Sequence, residues 1–145
     1  MIQASVKLAQ AAGTGRQFVA TSGTGHHLIL DDAAGGTGPK PIELVAIALA
    51  GCTAFDVINI LRKKRQNVTG YEVLVEADQV PDPPQVFSQV RIRHVVTGVQ
   101  VDREAVAAAI HLSESKYCSV GAMVQKSAQF TTSFEIIDAE TAAGK

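Results

Sequence analysis

At 145 residues the chain has the usual size of one domain, and its 46% hydrophobic content is enough for a sizeable core. Charged residues make up 19% and the formal net charge is −1, so there is no electrostatic footprint for nucleic acid or an anionic membrane. The opening "MIQASVKLAQAAGTG" lacks a basic start followed by an apolar block, so no signal peptide is expected and a reducing cytoplasm is the expected compartment.

Residues 2–9, "IQASVKLA", alternate apolar and polar in the manner of a half-buried strand. "RQFVAT" (16–21) and "HHLILDD" (26–32) predict two more strands. Gly-Thr-Gly tripeptides at 13–15, 23–25 and 36–38 mark turns, since glycine supplies conformations that other residues resist. No G-x-G-x-x-G and no Gly-Lys-Ser/Thr accompanies them, so nucleotide binding is not expected.

A long helix is predicted next, from Pro41 to about Arg65. Proline suits the first helical position, Glu43 meets the positive end of the dipole, and "RKKR" (62–65) meets the negative end. The apolar run Leu44–Phe55 is broken only by Thr53 and bounded by Glu43, Asp56 and Asn59, which predicts a core helix and no membrane span. The helix is apolar on nearly every side and needs cover nearly all round. A single chain of this size struggles to provide that, so a homodimer packing two such helices together is expected.

"YEVLVEA" (71–77) predicts a strand with Tyr71, Val73, Val75 and Ala77 on one face. After a loop at 80–84, "VFSQVRIRHVV" (86–96) predicts an antiparallel partner with Val90, Ile92, His94 and Val96 on one face and Arg91 and Arg93 on the other. Residues 102–117 predict a helix capped by Asp102, with Val106, Ile110 and Tyr117 on its buried stripe. A short helix (119–128), a last strand (130–137) and a frayed tail (139–145) follow. The expected class is α+β, one domain over 1–138.

Two cysteines stand out. Cys52 lies inside the long helix, where apolar burial makes a thiol inert. Asp56 and Asn59, at i+4 and i+7, share its face, and such a polar stripe suggests a pocket or an interface. Asp56 disfavours a thiolate beside it, so an activating cation must come from elsewhere. From the residues alone, a core cysteine and a reactive one both stay open. Cys118 opens the 118–128 segment, where free N–H groups and the helix dipole favour a thiolate. Cys-Ser-Val-Gly is not C-x-x-C, and the scattered histidines give no ligand spacing, so no metal or cofactor is expected. His94 is expected to be a hydrogen-bonded core histidine, and of the adjacent His26 and His27 one should point in and one out. No nucleophile elbow with serine, histidine and aspartate appears.

The segment "GPKPIELVAIALAGCTAFDVINILRKKRQNVTGYEVLVEA", with "SESKYCSVGAMV" later, resembles the OsmC/Ohr family of osmotically inducible and organic hydroperoxide resistance proteins. Pro41, Glu43-Leu44, Ala50-Gly51-Cys52-Thr53 and Cys118 carry the resemblance; "SGTGHHLILDD" and "KYCSVGAMV" look most similar to its YhfA-like branch. The resemblance implies antiparallel sheets around a long central helix in an intertwined homodimer, with active sites at the subunit interface. It implies that Cys52 is peroxidatic, attacking an organic hydroperoxide to become a sulfenic acid, and that Cys118 resolves it to a disulfide which a dithiol reduces. In peroxidase members an N-terminal arginine activates the thiolate, and a glutamate directly after the motif proline holds that arginine. Here that place is Ile42; Glu43 lies about 100° further round the helix, and Arg16 is the one arginine ahead of it. Arg16 and Glu43 are therefore the implied supporting pair. A non-catalytic family role is the alternative: a dimer that senses redox state through the same cysteines or binds a small apolar ligand.

Overall fold

The computed structural model describes residues 1–9 and 16–139. The first Gly-Thr-Gly (13–15) and residues 140–145 of the expected tail lie outside the described residues. The chain forms two compact units, Met1–Val45 and Ala46–Lys145.

The first unit carries an antiparallel sheet of β1 (Ala4–Leu8), β2 (Phe18–Ser22) and β3 (His27–Leu30), in that order. The β2–β3 connection turns at Gly25, whose φ of 86° is open to glycine at no steric cost. After β3 the Asp31 carboxylate gathers the loop by accepting from the backbone N–H of Asp32 at 2.7 Å, the N–H of Thr37 at 3.2 Å and the Thr37 hydroxyl. These bonds, the Thr37 hydroxyl foremost, hold its carboxyl below the usual carboxylate range. The third Gly-Thr-Gly belongs to this loop: Gly36 has a φ of 68°, and a Cβ on Gly38 would stand 2.3 Å from the Ile29 carbonyl oxygen.

Helix α1 runs Pro41–Lys63. Glu43 reaches back to accept the Lys40 backbone N–H at 3.1 Å, one half of a capping box. The helix stops two residues short of Arg65, which takes a left-handed φ of 58° so that the Gln66 N–H closes onto the Leu61 carbonyl at 3.0 Å.

In the second unit, β4 (Asn67–Gln79) and β5 (Phe87–Val99) pair antiparallel, as expected. Val90, Ile92, His94 and Val96 of β5 face inward and are fully or almost fully buried. Arg91 and Arg93 lie on the exposed side, paired with Asp78 at 2.9 Å and Glu135 at 2.6 Å. The sheet is completed by β6 (Gln129–Asp138), which runs parallel to β5 and so departs from the expectation of wholly antiparallel sheets. The cause is the crossover: α2 (Arg103–Leu112), a π-helical turn (Ser113–Tyr117) and α3 (Ser119–Val124) carry the chain back to the end of the sheet where β5 began. Asp102 caps α2 as expected, its carboxylate accepting from the N–H groups of Glu104 and Ala105. Tyr117 leaves the buried stripe and is half exposed. The i→i+5 bond from Cys118 N–H to Ser113 C=O, 2.8 Å, adds a residue to that turn and rotates Tyr117 out of phase with α2.

The core joins Val57 and Leu61 of α1 to Val96 of β5 and Val106, Ala109 and Ile110 of α2. Along α1 the buried positions Leu49, Thr53, Val57 and Leu61 recur every fourth residue, so one stripe faces this core. By length and composition alone α1 could cross a membrane. Here that one stripe packs into the core. Elsewhere on the helix, Ile47 and Phe55 are 58% and 78% exposed.

Candidate functional site: two thiols beside a carboxylate

Cys52 projects from α1 one turn before Asp56, and the π-helical turn delivers Cys118 to the same place. The two sulfurs and an Asp56 carboxylate oxygen all lie within 4.8 Å of one another. The thiols are free; Cys52 is half-buried and Cys118 is 4% exposed. Hydroxyl groups fix the carboxylate: Ser113 Oγ donates to Asp56 Oδ2 at 2.9 Å, and Ser113 and Thr53, both buried, bond to each other at 2.9 Å.

Cys118 caps α3, and its sulfur accepts the Gly121 backbone N–H at 3.2 Å. That is the contact expected to favour a thiolate, but burial outweighs it. The Cys118 thiol is pushed up to about 12 by desolvation first, with the neighbouring Cys52 and Asp56 adding to the rise and the Gly121 N–H only offsetting it in part. Cys118 is therefore a thiol, not a thiolate, at neutral pH. Gly121 fits closely here, since a Cβ on it would stand 3.1 Å from Cys118 Sγ.

Asp56 also acts on an aromatic pair, the half-buried Tyr71 and the buried His94. The Tyr71 hydroxyl and His94 Nδ1 are 2.6 Å apart, and the rings stack with centroids 5.9 Å apart. Burial, and then the charge of Asp56, raise the Tyr71 pKa. Burial lowers His94 to about 4, so its ring is neutral, and its Nε2 has no hydrogen-bond partner among the described residues. His94 is thus the core histidine expected. His26 and His27 are both exposed, each against a threonine hydroxyl at 2.9 Å, rather than one in and one out. Asp56 and Asn59, the polar stripe read from helical spacing, line a pocket of about 390 Å³ together with Lys63, Lys64 and Tyr117.

The other implied residues, Arg16 and Glu43, belong to the first unit. Arg16 Nε pairs with Asp32 Oδ2 at 2.9 Å. It lines a pocket of about 510 Å³ with Val6, Phe18 and Leu30. Glu43 makes the helix-capping bond described above. Sequence reasoning missed Thr53, Ser113 and Gly121. The first two are 60 residues apart and bond only once the fold has brought them together, so no local pattern marks them.

Residues 34–133 match the family described as OsmC: OsmC-like protein. Protein YhfA of Escherichia coli (strain K12) is 37% identical over 138 residues, covering 95% of this chain and all of YhfA. A hypothetical protein from Aquifex aeolicus VF5, solved by crystallography, is 27% identical with a TM-score of 0.83 over 95% of this chain and 97% of that one. The organic hydroperoxide resistance protein OhrB of Bacillus subtilis shares the fold, with a TM-score of 0.62 at 16% identity over 93% of this chain and 98% of its own.

Proposed function

The chain belongs to the OsmC-like protein family, and from that premise we propose that it is a thiol peroxidase reducing organic hydroperoxides. The observation that carries the reading is the approach of the Cys52 and Cys118 sulfurs to within 4.8 Å, near enough for a disulfide after small side-chain rotations. The hydroperoxide substrate class is supported by relatives of the same fold that are named for organic hydroperoxide resistance.

In this reading Cys52, the less buried of the two cysteines, attacks the terminal peroxide oxygen. The O–O bond breaks, the alkoxide leaves and takes a proton to become the alcohol, and Cys52 becomes a sulfenic acid. Cys118 then attacks the Cys52 sulfur, the S–O bond breaks, water leaves and a disulfide forms. A dithiol reductant restores both thiols by exchange, consistent with a reducing cytoplasm. Arg16 is the candidate for the cation that supports the attacking thiolate, with Glu43 as its candidate partner. The active form is proposed to be a homodimer, because α1 leaves Ile47 and Phe55 exposed on the same helix that carries Cys52. A redox sensor of the same family is favoured by one observation: the buried Cys118 thiol is pushed up to about 12, which would slow its attack on an oxidised Cys52.

The test is single-turnover thiol loss with one equivalent of cumene hydroperoxide. The peroxidase reading expects two thiols lost per peroxide in the parent and one in Cys118→Ser, with Cys52→Ser consuming none. If Cys52→Ser consumed peroxide as fast as the parent, the reading would be wrong. Two thiols lost per peroxide but only over hours would favour the sensor.

A further inference from the structure

Peroxide chemistry has no use for Asp56. A carboxylate beside the sulfurs adds to the cost of ionising Cys118. Yet its position is built: Ser113 donates to Oδ2 at 2.9 Å, and Thr53 bonds to Ser113 from the buried side. Cys118 Sγ is likewise oriented by the Gly121 N–H at 3.2 Å. Hydrogen bonds of this kind, donated to the back of a would-be ligand, are what fix metal ligands in place.

Two sulfurs and a carboxylate oxygen, each within 4.8 Å of the others, are a donor set that suits a zinc-class divalent cation. With Zn–S about 2.3 Å and Zn–O about 2.1 Å, tetrahedral ligand atoms stand about 3.6 to 3.8 Å apart, so shifts of about 1 Å close the site. Three potential anions that repel one another become three ligands sharing one dication. We infer that Cys52, Asp56 and Cys118 bind one zinc-class cation per chain, leaving a fourth position to water or an exogenous ligand.

The inference stands on this geometry and does not depend on the peroxidase reading. It departs from the sequence, where no ligand spacing points to a metal: Cys52 and Asp56 are one helical turn apart, and Cys118 arrives from the crossover. Binding releases the protons of both thiols, so affinity rises with pH. Metal binding and disulfide formation use the same sulfurs and exclude each other.

Reduced, chelator-treated full-length protein, titrated with Co²⁺ without oxygen, tests the site directly. The expected result is one ion per chain, with near-ultraviolet sulfur-to-cobalt charge-transfer bands and tetrahedral visible bands, both removed by one equivalent of Zn²⁺. Cys52→Ser/Cys118→Ser should lose these bands. Ser113→Ala should weaken binding roughly 10- to 100-fold while keeping them. A cobalt spectrum without thiolate bands in the parent overturns the inference whether or not any variant folds. So does undiminished binding in the double-serine variant, which would place the ion elsewhere, for example on the exposed His26 and His27. Peroxide-driven thiol loss in the metal-free protein is a separate readout, so either reading can fail alone.

Discussion

Raising the pH should speed disulfide formation in this protein without changing its end point, and the cause is the burial of Cys118. Its thiol is pushed up to about 12 from an ordinary value of 9.0, and burial is the largest contribution. At pH 7 about one Cys118 in 10⁵ is then ionised, against about one in 10² for an ordinary thiol, a roughly thousandfold deficit of the attacking species. Oxidation of Cys52 to the sulfenic acid removes that neighbour's contribution to the rise, but burial remains. The conversion of sulfenic acid to disulfide should therefore accelerate about tenfold per pH unit between about pH 6 and 9. The assay gives reduced protein one equivalent of cumene hydroperoxide, quenches at intervals with a sulfenic-acid trap, and separates adduct from disulfide by mass spectrometry. Asp56→Asn removes a charge that raises the thiol and should be faster than the parent at each pH in this range. A rate that levels off below pH 8, or an Asp56→Asn variant no faster than the parent, would refute the reasoning.

Three other outcomes follow from the same packing. Leu61 is fully buried in the core of the second unit, so Leu61→Ala should cost about 2–5 kcal/mol, read as a lowered denaturation midpoint at unchanged slope. His94 is neutral when folded, with a pKa of about 4 against 6.5 unfolded; its stabilising contribution is complete above about pH 6.5 and is lost as pH falls toward 4. Up to roughly 3 kcal/mol should disappear across that window in urea titrations, and the loss should be absent in a Tyr71→Phe/His94→Phe variant. Gly121→Ala brings a methyl to 3.1 Å from Cys118 Sγ, so disulfide formation should slow while the first, Cys52-dependent loss of peroxide keeps its rate.

Much of the fold is legible in the sequence because its signals are periodic. The alternation of Val90, Ile92, His94 and Val96 fixes the buried face of β5, and Asp102 announces the start of α2. Helical spacing places Asp56 and Asn59 together, and a pocket opens at both. Local pattern fails where distant segments decide. The direction of β6 depends on the crossover before it, which composition does not reveal. Cys118 at a helix start reads as a favoured thiolate, but the fold buries it beside Cys52 and Asp56 of α1, more than sixty residues away in sequence. Ser113 looks like an ordinary helical serine until the π-helical turn sets it between Thr53 and Asp56. The pairing of Cys52 with Cys118 is suggested only by family resemblance, since 66 residues of chain separate them.

The most direct test of the central claim is a peptide map of the full-length protein after one equivalent of organic hydroperoxide, alkylated without reductant. The account predicts one product, a peptide pair joined through Cys52 and Cys118, formed with one alcohol released per disulfide and reversed by a dithiol. Recovery of both cysteines as alkylated thiols while the peroxide is consumed, or of a sulfenic acid on Cys118 with Cys52 intact, would contradict it.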